Sequence, residues 1–320
     1  MIIIIKEQLI IMNEKCTFEN LSEKIDDLNP CGNCQDIQIK KFTPIKDFAD
    51  YDKLNNDYKR CSCGKRPLDV VMAHILKIMV EEGIVSEKAN LRRNSPIPLP
   101  AFCFSSLNPQ FIGKDSLILI HSDFDKEVAS RIFNEVLEVK GVLKGDLSKT
   151  IGIFDKDSTE ETYEILAGDD SRCDVLRTLI KKDDKLVKII INKFQSVNHI
   201  EVASTTEEKL LKLYNYLENN DVGKVIAIDG MCGSGAIGIF LMHYGFEKVI
   251  FNDINPKLVE ITLDNIITNN IDGNYEILNC AFEDLDITGL DLCIIDMYPG
   301  ANIEKIKEKA NKIASDVLII

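Results

Sequence analysis

No run of 18 apolar residues occurs anywhere in the 320-residue sequence, so no segment is expected to span a membrane as a helix. The opening MIIIIKEQLII is interrupted by Lys6 and Glu7 and has neither a basic leader nor a small-residue cleavage site. A signal peptide is therefore not expected; an edge strand, or an alternative start at Met12, is. Internal repeats and low-complexity tracts are lacking too, which excludes a solenoid. Positive charge is scarce: 38 Lys and Arg face 52 Asp and Glu, a net charge of -14. The shortage is greatest in residues 221–320, with 7 basic against 16 acidic side chains. Nucleic-acid affinity rests largely on phosphate contacts. Any nucleic acid would thus be held mainly by the N-terminal half, where Lys40-Lys41, Lys59-Arg60, Lys65-Arg66 and Arg92-Arg93 stand as pairs. These absences point to a cytoplasmic protein without a membrane partner, in which ten cysteines are reduced thiols or metal ligands rather than disulfides.

What is present is organised around residues 224–253, KVIAIDGMCGSGAIGIFLMHYGFEKVIFND. The apolar run Val225 to Ile228 reads as a strand ending in Asp229, followed by a glycine-rich turn and an apolar helix to about Tyr244. Val249 to Phe251 is a second strand, tipped by Asn252 and Asp253. Such a β-α-β unit places a ligand at the carboxyl ends of parallel strands. Gly233 and Gly235 allow a close backbone approach, and Asp253 follows Gly235 by 18 residues, about where an acid meets ribose hydroxyls. Asn255 then caps a helix opening at Pro256, with Val259, Leu263, Ile266 and Ile267 as its buried face. Further strands are expected at Tyr275 to Leu278, Leu292 to Ile295 and Val317 to Ile320.

The N-terminal stretch carries Cys31-x-x-Cys34 and, separated from it by 26 residues, Cys61-x-Cys63. Two close pairs complete a tetrahedral thiolate set, the arrangement of a structural zinc site, although an iron–sulfur cluster also uses four thiolates. Pro67 begins a helix to about Glu82 with Leu68, Val71, Met72, Ile75 and Met79 on one face, stopped by Gly83; His74 beside that face reads as a core histidine. Three prolines in residues 94–100 read as an extended linker. Beyond it, Ser116 to Ile120, Val142 to Leu143, Ile151 to Phe154, Thr162 to Leu166 and Val187 to Ile191 are strand candidates, with a helix from Asp125 to Leu137. The organisation expected is an N-terminal cysteine module (1–93), a small α+β domain (101–205), and a Rossmann-like, doubly wound parallel sheet (206–320).

The turn D-G-M-C-G-S-G resembles motif I of the class I S-adenosylmethionine (SAM) methyltransferases, and Asp253-Ile254-Asn255-Pro256 resembles the D-x-N-P of RNA methyltransferases in that class. Asp296-Met297-Tyr298-Pro299-Gly300 is similar to motif IV of enzymes that methylate nitrogen on planar bases. Residues 139–170 and 191–213 resemble the middle domain of the archaeal and eukaryotic tRNA guanine methyltransferases and wyosine-pathway transferases. Two arginine signatures of that family are replaced, one by Phe194-Gln195-Ser196-Val197 and the other by Glu207-Glu208-Lys209.

The resemblance implies a SAM-dependent methyltransferase. Asp229, Gly230, Cys232, Gly233, Gly235 and Asp253 would form the SAM site, with Glu283 or Asp284 on the adenine amine and Phe282 or Ile254 packed on its ring. Asp296 would orient the acceptor, with Tyr298 and Pro299 beside it as platform. A complete domain of the class would add two more strands, so either the N-terminal half walls the pocket or the second subunit of a homodimer does. By resemblance the acceptor is a tRNA base; by charge it is equally a small molecule or a protein. SAM aminocarboxypropyl transfer and a non-catalytic SAM- or metal-binding module are the other readings.

Overall fold

The computed structural model describes residues 15–104, 109–146, 163–180, 185–297 and 302–320. The apolar opening stretch, the strand expected at Ile151 to Phe154, Tyr298 and Pro299 lie outside them. Among the described residues no helix is long and apolar enough to cross a membrane.

A short helix α1 (Leu21–Asp26) precedes the cysteine loops. β1 (Arg66–Pro67) leads into α2 (Leu68–Glu81). This helix is buried nearly all round, from Val70 to Ile78 and Met79, rather than on one face. Gly83 leaves it at φ +73. β2 (Ile97–Pro100) occupies the stretch expected to be a linker and pairs antiparallel with β5 (Leu117–His121). It lies at the sheet edge, order β2-β5-β6-β7, where prolines without an N–H are tolerated. β3 (Phe102–Phe104) and β4 (Phe111–Ile112) separate β2 from β5, and β4 pairs with β1. α3 (Lys126–Glu135), capped by the Asp125 carboxylate, and β6 (Val139–Lys144) and β7 (Glu164–Gly168) complete this part. One buried cluster runs through it from Ile39 to Val142. Two of the paired basic residues of the N-terminal half are engaged beside it, one buried and one half-buried. Arg66, fully buried, pairs with Glu138 at 2.5 and 2.8 Å, and Arg60 joins the same carboxylate at 2.9 Å.

The long hairpin β8 (Ser171–Ile180) and β9 (Lys185–Phe194) follows, with β3 parallel to β8. α4 (Ala203–Asn219) connects it to the C-terminal sheet. There β10 (Ile226–Asp229), α5 (Ala236–Tyr244), β11 (Lys248–Asp253), α6 (Pro256–Thr268), β12 (Asn274–Asn279), β13 (Leu290–Ile295), α7 (Ile303–Ile313) and β14 (Ala314–Ile319) alternate. The sheet order is β12-β11-β10-β13-β14, with all neighbours parallel. The chain reverses its winding between β10 and β13, which opens a crevice at the carboxyl ends of the strands.

The hairpin is stitched to α6 by amide side chains. Asn265 accepts from the Asn192 N–H (2.8 Å) and donates to its carbonyl (2.9 Å). One turn later Asn269 does the same to Ile190 (2.9 and 2.7 Å). The Asn192 side chain in turn accepts from Cys16 N (3.1 Å) and donates to Cys16 O (3.0 Å). These amides give β9 the main-chain partners that another strand would supply. They also rotate the buried face of α6 from the one expected: Asn265 is fully buried whereas Ile267 is 49% exposed. The hairpin therefore stands against the sheet as a wall from within the chain.

Candidate active site

The site begins under the glycine turn. Asp229 ends β10 with a fully buried carboxylate; Oδ2 accepts from Gly238 N (2.8 Å) and Oδ1 has no partner. Burial pushes its pKa up to about 7, against the opposing pull of the Gly238 N–H and helped by the nearby charges of Asp296 and Asp253. The backbone then passes through φ +54 at Gly233 and +85 at Gly235. A Cβ on Gly233 would meet nothing, because that face opens into the crevice; one on Gly235 would come within 2.8 Å of Thr262. Asp253, at the tip of β11, accepts from Gly233 N and from Asn255 N, both at 2.9 Å. It is 8% exposed, and burial pushes it up to about 6.

A cleft of about 850 Å³ fills the crevice. Of the residues singled out from the sequence, Cys232, Gly233, Asp253, Ile254, Phe282, Glu283, Asp284 and Asp296 line it. Asp229, Gly230 and Gly235 do not; they shape the turn from beneath. Phe282 is only 4% exposed, and its ring would lie 2.7 Å from a Cβ on Gly230, so it floors the turn.

The opposite wall was not read as site. Asp174, Lys193, His199, Glu201 and Lys209 reach the cleft from β8, β9, the following loop and α4. Lys209 places its ammonium 2.6 Å from Asp296 and 2.7 Å from Glu201. Burial pulls the Lys209 pKa down, but the two carboxylates outweigh it and the net shift is upward. Burial also pushes Asp296 up, with Lys209 opposing. Deeper in, the buried Arg172 donates to Gln195 (2.7 Å) and Asp174 (3.2 Å), while Lys193 pairs with Asp174. The only sequence signal for this wall was Lys209 standing in a helix expected to carry arginines.

Six carboxylates line the cleft (Asp174, Glu201, Asp253, Glu283, Asp284, Asp296) against Lys193, Lys209 and Lys305. Such a lining suits a cationic guest. The sulfonium and ammonium of SAM meet that requirement, Gly233 offers an open backbone face, and Asp253 stands where sugar hydroxyls would approach, so the residues present fit this cosubstrate.

Far from the cleft, the Sγ atoms of Cys31, Cys34, Cys61 and Cys63 all lie within 4.8 Å of one another. The closest separations are 3.4 Å (Cys31 to Cys61), 3.6 Å (Cys34 to Cys63) and 3.7 Å (Cys31 to Cys34). Four thiolates about 2.3 Å from one zinc would sit about 3.8 Å apart at tetrahedral geometry. The set can hold a metal ion.

A parallel sheet in this order, with a glycine turn after its first strand and an acid at the tip of the second, is the Rossmann-like arrangement of class I SAM methyltransferases. No family model matches the chain. Among curated proteins it is similar to the release factor glutamine methyltransferase of Borreliella burgdorferi, with 29% identity over 143 residues (43% of this chain, 46% of that protein). It is also similar to the ribosomal protein L11 methyltransferase of Aeromonas salmonicida, with 28% identity over 85 residues (27% and 29%). The chain thus matches less than half the length of either. Among solved structures, Trm5 of Methanocaldococcus jannaschii in complex with adenosine overlays with TM-score 0.42 and 18% identity, over 74% of this chain and 60% of that one.

Proposed function

We propose that the chain transfers the methyl group of SAM to a nitrogen or carbon of a planar acceptor, a tRNA base in the first instance. The observation that carries this reading is the single cleft that brings Asp253 and Asp296 together at the switch point, closed on its far side by the chain's own hairpin and α4. When bound, SAM supplies an activated methyl on a sulfonium. Gly233 and Asp253 would hold its amino-acid end and sugar, and Glu283 or Asp284 would accept from the adenine amine. Asp296, its charge held in place by Lys209, would accept a hydrogen bond from the acceptor N–H and orient the lone pair; Tyr298 and Pro299 follow it in sequence as platform. Acceleration would then rest on alignment rather than on strong acid–base chemistry.

The carboxylate lining favours a second acceptor class, a small amine-bearing molecule. Calorimetry with S-adenosylhomocysteine tests the cosubstrate site; no heat with the wild type would end the reading. Transfer of labelled methyl from SAM to separated tRNA, protein and small-molecule fractions then assigns the acceptor. True tRNA recognition should weaken steeply with added salt. Asp296→Ala should keep product binding and lose transfer by about a hundredfold or more; equal labelling by both proteins would remove Asp296 from the chemistry.

We further propose that the four cysteines hold zinc, since their separations suit one ion better than a multi-iron cluster. The site is closed and would order loops that have little core of their own. One equivalent of zinc by elemental analysis, lost in Cys34→Ser together with thermal stability, is expected; a bound iron chromophore would refute it.

A further inference from the structure

The residue between the two bent glycines makes contacts that the proposed chemistry does not use. Ser234 lines the cleft, and its hydroxyl donates to the side-chain oxygen of Asn198, in the loop between β9 and α4. Its carbonyl accepts from Asn265 Nδ2 (3.0 Å), the same amide that holds the main chain of Asn192 on β9. Ser234 is thus tied to the far wall twice, once directly and once through α6. Asn198 and Asn265 stand 36 and 31 positions away from it in sequence, so both ties exist only in the folded chain.

Asn198 is held from every side. It is 6% exposed. Its Nδ2 donates to the Phe194 carbonyl (2.8 Å), which leaves the side-chain oxygen for Ser234, and its own carbonyl accepts from Gln195 Nε2 (2.8 Å). The next three residues reach three different places. His199 lines the cleft. Ile200 packs against the buried cluster of Leu99, Ile118 and Leu143 on the N-terminal sheet. Glu201 pairs with Lys209, which pairs with Asp296, while the Glu201 carbonyl accepts from Lys193 Nζ (3.2 Å). A displacement of Asn198 would therefore reach the partners of Asp296 through three residues of chain. Coupling between sites travels through contiguous hydrogen bonds and ion pairs of this kind.

On the cosubstrate reading given above, we propose that Ser234 and Asn198 are positioning residues that couple the glycine turn to the acceptor side of the cleft. A ligand seated on the open face of Gly233 constrains the next residue. One torsion separates the Ser234 hydroxyl from the main chain, so the constraint passes to Asn198 with little slack. Occupancy of the turn then orders residues 198–201 and sets Glu201 and Lys209 against Asp296. The coupling is reciprocal: an acceptor that orders the same loop tightens the hold on the cosubstrate.

The test uses the full chain and S-adenosylhomocysteine, with calorimetry and with hydrogen exchange read on peptides covering 195–202 and 229–238. Wild type is compared with Ser234→Ala, Asn198→Ala, the two combined, and Ser234→Thr, which keeps a hydroxyl. Ligand should slow exchange in both peptides of the wild type. Ser234→Ala should keep the slowing in 229–238 and lose it in 195–202, and Ser234→Thr should restore it. A merely structural role would alter exchange equally with and without ligand. Each Ala variant should weaken binding about fivefold or more, and the combined variant no further, because both changes remove one bond. Slowing in 195–202 that survives Ser234→Ala, or losses that multiply in the combined variant, overturns the proposal and leaves the cosubstrate reading standing. Absence of binding to the wild type ends both.

Discussion

The Asp229 carboxylate makes the stability of the ligand-free protein depend on pH in a direction opposite to that of most acidic side chains. Its pKa lies at about 7 in the folded chain against an ordinary value of 3.8, because burial disfavours the charge. Below about pH 4 the group is protonated in both states. Between about 4 and 7 the unfolded chain gives up the proton while the folded chain keeps it, so each pH unit costs about 1.36 kcal/mol of stability. The full rise corresponds to about 4 kcal/mol, lost by the time pH has passed 7. Asp229→Asn keeps an acceptor for the Gly238 N–H and removes the ionisation. Urea denaturation of both proteins at pH 4.5 and 8 should therefore show the wild type losing about 3 kcal/mol more than the variant across that interval. Asp253, pushed up to about 6, adds a slope in the same direction to both proteins and cancels in the comparison. Parallel pH profiles for wild type and variant would mean that Asp229 is hydrated or ionised in the folded state and that the turn above it is less closed than described.

Two other outcomes test the cleft walls. Asn265→Ala leaves the Asn192 N–H and C=O and the Ser234 carbonyl without their amide partner, and at about 1–3 kcal/mol per buried group it should cost about 3–5 kcal/mol in urea denaturation; a loss under about 1 kcal/mol would show that the stitch is dispensable. Lys209→Met removes the cation that opposes the rise of the Asp296 pKa, so the acid limb of kcat/KM for methyl transfer should move to higher pH. An unmoved limb would separate Asp296 ionisation from catalysis.

The C-terminal sheet was legible because its strands are short apolar runs, three of which (β10, β11 and β13) end at an aspartate, and because the turn between Asp229 and Ala236 permits few other conformations. β8 was missed for the opposite reason. Its inward positions include the buried ion pair Arg172 and Asp174, so the stretch reads as polar although it is internal. The proline-rich edge strand hid behind composition: Pro98 and Pro100 mark extended backbone equally well in a linker and at a sheet margin. In the site, the residues on βα turns were found from spacing. Those facing them (Lys209, Glu201, Lys193) lie on elements whose relation to the cleft exists only after folding, and no local pattern encodes it. The same is true of Asn265 and Asn269, whose hydrogen-bond partners are main-chain atoms more than seventy residues away in sequence.

That long-range grip has a consequence for how the protein could change over time. On β9 the amides of α6 hold only the main-chain N–H and C=O of Ile190 and Asn192, a pair of groups that every residue except proline carries. The outward side chains of β9 can therefore be exchanged without loosening the joint, so the position of the wall is conserved by chemistry that is blind to what the wall displays. New acceptor preferences could be acquired one substitution at a time on a support that does not drift.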